Sequence, residues 1–227
     1  MSFFNASTKA DDVKQGGSNY INGSGIYPVV IVAPVVSASP GGSVSVDMFV
    51  DHLGQKQIVY GNLRTTNNDG TPNKIGAKVF NQLMIIAGLE SCADPVEAEV
   101  PMGQKSAMKT VAVLEDLVDT EVLMRVQMEY STHKGNIQEK KNIKAFFRAS
   151  DNATAEEIVT GSDVGKGFER EQKYVDSVTY KDGLTPEDIT AWIAAKRPKG
   201  TAGQAADGEA PAAPSFGQKR SFGQAAE

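Results

Sequence analysis

Residues 140–148, Lys-Lys-Asn-Ile-Lys-Ala-Phe-Phe-Arg, carry the densest chemistry in the chain. Read as a strand, their alternation sends Ile143, Ala145 and Phe147 to one face and Lys140, Asn142, Lys144, Phe146 and Arg148 to the other. Cations interleaved with an aromatic ring suit an unpaired polynucleotide. The cations neutralise phosphates and the ring stacks on a base, worth about 1–3 kcal/mol per base. Residues 134–148 hold five Lys or Arg against Glu139 alone, inside a chain of formal net charge −5. The competing reading packs Phe146 under a C-terminal helix and leaves the lysines to blunt an edge strand.

Weaker candidates extend the same chemistry. Phe49 is the one large apolar residue on the polar face of its strand, and a covered outer-face ring is the plain alternative. Tyr60 and Arg64 close the third strand, and a core position accounts for Tyr60 equally well. Arg125 shares the polar face of a later strand with Gln127, where a glutamate partner would also explain it. Lys74 and Lys78 flank a helix start, a place the helix dipole disfavours for cations, so a phosphate-facing role competes with ordinary solvation.

Catalytic readings fail on inventory. His52 and His133 are the only histidines and neither has a metal-ligand neighbour at suitable spacing; with Cys92 the only cysteine, a Cys/His zinc site cannot be assembled. Adjacent carboxylates, Glu115-Asp116 and Glu156-Glu157, read as a loop and a solvated helix start. Residues 161–167, Gly-Ser-Asp-Val-Gly-Lys-Gly, resemble a phosphate loop but put three residues between the first two glycines and Gly167 where Ser or Thr would hold Mg²⁺, so they read as a flexible linker. The expectation is a non-enzyme without cofactor or metal. A lone cysteine excludes an internal disulfide and fits a reducing cytoplasm. No readable secretory signal and no run of about 18 apolar residues point away from a membrane.

The elements that must position these residues are mostly strands. Residues 1–24 read as an irregular arm and 25–197 as the folded domain. Residues 198–227, almost wholly Ala, Gly, Pro, Gln and Ser, read as a disordered tail. Ile26–Ser37 is Val/Ile-rich but contains Pro28 and Pro34, which predicts an edge or bent strand. A Ser-Pro-Gly-Gly turn follows at 39–42. Ser43–Asp51 alternates, with Val44, Val46, Met48 and Val50 on one face. Gln55–Arg64 is a third strand. Val79, Leu83 and Ile86 then recur at helical spacing, with Gly88 as the stop. A looser stretch runs to about Leu117. Glu121–Tyr130 alternates again, a turn occupies 133–136, and Asn136–Ala149 is the last strand. Thr154 with Glu157 forms a capping box, and Thr185-Pro186 opens a helix to Lys196 with Ile189, Trp192 and Ile193 as its stripe. Three strands, a helix and two strands is the order of a five-stranded Greek-key OB-fold barrel, mainly β with peripheral helices; a β-sandwich with one helix carries the same signals.

Five segments in this order and spacing resemble a family of bacteriophage OB-fold single-stranded DNA-binding proteins. They are GIYPVVI, the Gly-Gly hairpin before SVDMFV, RTTNNDGTPNKIGAKVFNQLMIIAGL, VLEDLVDTEVLMRVQMEY and NIKAFFRASDNATAEEI, together spanning about residues 25–158. The resemblance implies largely sequence-independent coating of single-stranded DNA in phage replication or recombination, in the host cytoplasm. A β-rich structural or interaction module, such as a virion component, is the alternative. The tail departs from cellular single-strand binding proteins, which end in an acidic stretch closed by Pro-Phe. Here Ser-Phe-Gly-Gln occurs twice, and Phe216 and Phe222 are candidate hooks for a replication or recombination partner. Oligomeric state is not legible.

Overall fold

The computed structural model describes residues 19–102 and 107–196, the side chains of residues 61 and 62 excepted. Its strands are β1 (Gly25–Ala38), β2 (Val44–His52), β3 (Gln55–Thr66), β4 (Val96–Val100), β5 (Lys109–Val113), β6 (Glu121–His133), β7 (Asn136–Arg148) and β8 (Thr179–Tyr180). Its helices are α1 (Lys74–Ile86), α2 (Ala155–Thr160), α3 (Lys166–Gln172) and α4 (Pro186–Lys196). The fold is mainly β, as the alternation predicts. The strands form one eight-stranded sheet, antiparallel but for the short β6–β8 pairing.

β1 is the spine. One edge pairs with β2; the other pairs with β6 over Gly25–Val30 and with β5 at Val35 and Val36. The hand-over coincides with a register shift between Ile31 and Ala33. Pro28 and Pro34 therefore bend an interior strand rather than mark an edge. The Pro28 carbonyl faces His52 Nδ1 at 2.7 Å, on the side where the β2 ladder has already ended, so no ladder donor is lost there. From β1 the ladders run outward to β2–β3 and to β6–β7. β3 and β7, at the two ends, lie in contact without a recorded ladder, and α1 packs on both. The sheet therefore does not close through hydrogen bonds, and β4, β5 and β8 stand outside the expected five strands.

Two hairpins are fixed by turn chemistry. Leu53-Gly54 and Lys134-Gly135 both place two successive residues at positive φ, the two-residue turn whose twist matches flanking strands. One large core lies on one side of the sheet: Val46, Met48 and Val50 of β2 meet Leu83 of α1, Met124 and Val126 of β6, and Ile143 and Phe146 of β7. The stretch read as loose contains the β4–β5 hairpin, which folds over the outer face of β1 and β2 and seals a second cluster of Ala33, Val35, Phe49, Val100 and Val113. A third cluster docks Ile189 and Trp192 of α4 on Met128 and Tyr130, whereas Ile193, the third residue of the expected stripe, is exposed.

α1 ends in the expected way, with Gly88 at φ +74° and the Gly88 and Leu89 amides donating back to Ile85 and Met84. Its start is held against β3. A Cβ at Gly76 would sit 2.1 Å from the Arg64 carbonyl oxygen, so only glycine permits this approach. The expected linker at 161–167 runs into α3 instead. Residues 1–18 and 197–227, which include most of the expected arm, the tail, Phe216 and Phe222, lie outside the described residues; of the arm's last residues, Ile21 is buried in the main core.

Candidate nucleic-acid interface

The basic strand does not alternate as read. Arg125 of β6 pairs with Ala145, but Val126 pairs with Ile143, so Lys144 is an extra residue on β7. Such a bulge shifts the side-chain phase by one position. Ile143 before it and Phe146 after it therefore both enter the main core, and Lys144 is thrown outward. Phe146 is 1% exposed and is not a stacking platform. Phe147, expected on the core stripe, is buried on the other side against Phe168 of α3, ring centroids 5.1 Å apart.

Three further expectations are corrected. Phe49 is 3% exposed because the β4–β5 hairpin covers it. Arg125 is buried, with Nη1 2.7 Å from Glu171 Oε2 and Nη2 donating to the Tyr174 carbonyl, so it ties α3 to the sheet. Arg148 donates two bonds to Asp151, Nε to Oδ1 at 2.9 Å and Nη2 to Oδ2 at 2.6 Å, and closes the turn after β7. Lys140 stays exposed but stands opposite Glu129. Burial alone would raise the Glu129 carboxyl; the Lys181 ammonium, Asn142 and Lys140 together hold it below its usual range.

What remains outward is Tyr60, Arg64, Lys74 and Lys144. Tyr60 and Arg64 share the face of β3 opposite the main core. Ile58 opposite Phe49 and Arg64 opposite Ser45 set that face, and Tyr60 lies between them, 61% exposed. Three β3 residues, Tyr60 to Asn62, oppose Asp47 alone, a second bulge beside the ring. Arg64 borders a groove of about 430 Å³ with Ser39, Ser43, Ser45, Asp47, Asn73 and Ile75. Burial pushes the Asp47 carboxyl up, so it holds its charge less readily than a free carboxylate. Asn73 caps α1 by accepting from the Gly76 amide, and the first turn carries no acid. Lys74 and the exposed Ile75 begin the helix beside Arg64.

A second groove, of about 550 Å³, lies where α1, β7, α2 and α3 meet. Lys78, Lys144 and Arg170 line it, with Asn81 and Gln82. Its α2–α3 wall is held by Glu157, which the sequence places in the capping box but reads as part of a solvated helix start; it is instead a buried carboxylate. Oε2 accepts from the Thr154 amide at 2.9 Å and the Gly165 amide at 3.2 Å, and Oε1 from the Gly167 amide at 2.8 Å. The Thr154 amide first, then those of Gly167 and Gly165, outweigh burial and take the carboxyl down to about 2. The capping box was the signal for Glu157; its second use across the loop had none.

Among the described residues no group of His, Cys, Asp and Glu could hold a metal ion, and no helix is long and apolar enough to cross a membrane. No family model matches this chain, and no curated protein matches it.

Proposed function

We propose that this protein binds single-stranded DNA, largely without regard to sequence, on the outer face of β3 of an OB-fold barrel, and protects the strand during replication or recombination. The strand order β3-β2-β1-β6-β7, with α1 bridging β3 and β7, supports the barrel reading. The observation that carries the function is Tyr60. A ring 61% exposed on a strand, with Arg64 on the same face and Lys74 at an acid-free helix start beside it, is costly to keep in water and is what an unpaired base and its phosphates require. Lys74 adds charge where the helix already presents partial positive charge, which strengthens an anion site rather than the helix. The mechanism is stacking plus counterion release, with no chemical step. Phage origin rests on the family resemblance.

Single substitutions separate the two terms. Tyr60→Ala is expected to weaken oligo-dT binding by about 1–3 kcal/mol with the salt dependence unchanged. Arg64→Ala is expected to reduce the slope of log K against log salt by roughly 0.7. If folded Tyr60→Ala and Arg64→Ala bind as the parent does, this face is not the site. A parent that binds no oligo-dT returns the chain to the alternative of a β-rich interaction module.

A further inference from the structure

Four cations of the described residues stand in ion pairs, and three of those that do not are gathered in one place. Arg125, Arg148, Lys166 and Lys181 are matched by Glu171, Asp151, Asp163 and Glu129. Lys78, Lys144 and Arg170 are exposed, have no recorded ion pair, and converge on one groove. Of the two acids in its lining, Glu171 is already matched by Arg125, so Glu156 alone opposes three cations. Keeping like charges together costs stability at the surface, and two features of the chain maintain the arrangement. The β7 bulge turns Lys144 out between the buried Ile143 and Phe146. The Glu157 clamp fixes Gly167, one turn before Arg170, against Thr154, where a Cβ would meet Thr154 Cγ2 at 2.4 Å. The Gln82 Oε1 atom, in the same lining, is buried without a hydrogen-bond partner.

α1 joins this groove to the β3 face. Its sequence, KIGAKVFNQLMII, contains two lysines and no acid. Lys74 and Lys78 are four residues apart, so they lie on one side of the helix about 6 Å apart along its axis. That pairing is mildly destabilising in an isolated helix. It places Lys74 beside the Arg64 groove and Lys78 in the second one.

We propose that the groove formed by Lys78, Lys144 and Arg170 is a second polynucleotide segment of the site, so that a strand leaving Tyr60 and Arg64 crosses α1 over Lys74 and Lys78 and continues between β7 and α3. This rests on the reading of the β3 face as a single-stranded DNA site and extends it into a two-segment footprint. A polyanion fits better than a small anion because the cations are spread along an open groove instead of converging on one buried point. A strand too short to reach past α1 engages only the first segment.

The test uses the full chain with Lys78→Glu, Lys144→Glu and Arg170→Glu combined, and a second variant with alanine at the same positions should the reversals disturb the melt. Each is titrated over a salt series that includes physiological salt, where charges beyond about 8 Å are screened, with oligo-dT of about 8 and about 24 nucleotides. The expected result is at least a tenfold loss for the long strand, with its salt slope reduced by about 2, and little change for the short one. Unchanged long-strand binding by the folded variants overturns the proposal. So does an equal loss at both lengths, which would make this groove the first contact. Capture of a Glu/Asp-rich peptide by the parent but not the variants, with DNA affinity intact, overturns it in favour of a peptide site. Failure of the underlying reading looks different: the parent then binds neither strand, or Tyr60→Ala leaves short-strand binding untouched.

Discussion

Replacing Glu157 with glutamine tests how the α2–α3 wall is held. The carboxylate accepts from three backbone amides, those of Thr154, Gly165 and Gly167. Glutamine is nearly isosteric but offers one oxygen; its NH₂ must face at least one of these N–H groups, setting donor against donor. A carboxyl held at about 2 instead of 4.5 is worth roughly 3.4 kcal/mol at neutral pH at face value. Solvent screening close to the surface reduces this, and about 2 kcal/mol is expected. In a domain of this size that is about 4–8 °C in melting temperature. The sign with pH follows from the lowered value. The carboxylate's contribution is complete above about pH 4.5 and is lost as pH falls towards 2. Thermal melts of parent and Glu157→Gln, followed by circular dichroism at pH 7 and pH 3, should show a gap that shrinks by about half in acid. A variant melting within about 1 °C of the parent at pH 7 would refute the clamp, and so would a gap indifferent to pH.

Phe146→Ala is expected to cost about 3–5 kcal/mol in urea unfolding, and Phe49→Ala the lower end of that range, because both rings are buried; lost DNA binding at unchanged stability would return them to the interface. Asp47→Asn should raise the melting temperature at pH 7 by about 1–2 °C. Burial raises the Asp47 carboxyl, so the native state favours its protonated form, and the gain must fade as pH falls and the aspartate protonates. A gain that persists in acid contradicts that cause. Gly76→Ala forces α1 away from the Arg64 backbone and should cost about 1–3 kcal/mol together with oligo-dT affinity, read from parallel melts and titrations; a neutral outcome would mean the helix start is not fixed to β3.

Strand periodicity was legible wherever one face is core and the other is not. β2, β6 and α1 fall where their alternation and helical spacing put them. Bulges were not legible. Nothing in Asn-Ile-Lys-Ala-Phe-Phe announces that Lys144 is the extra residue, because strict alternation and a one-residue slip both give an acceptable apolar face. That slip moved Phe146 from the candidate surface to the core. Phe49 failed for a different reason. Val-Glu-Ala-Glu-Val at 96–100 alternates, but weakly, and without β4–β5 nothing covered the outer face of β2. α3 was hidden by the glycines around its short span, and Arg125 by a partner 46 positions on in sequence whose placement depends on that helix. Arg64 and Lys74 are exposed, as the strand end and helix start place them, whereas strand phase left Tyr60 open between surface and core.

The central claim is tested most directly by titrating the full chain with a fluorescent oligo-dT of about 24 nucleotides across a series of salt concentrations. Phosphate contacts from Arg64, Lys74, Lys78, Lys144 and Arg170 predict saturable binding, with log K falling linearly against log salt at a slope of about −3.5. Absence of saturable binding at low salt, or binding whose affinity does not change with salt, would contradict it.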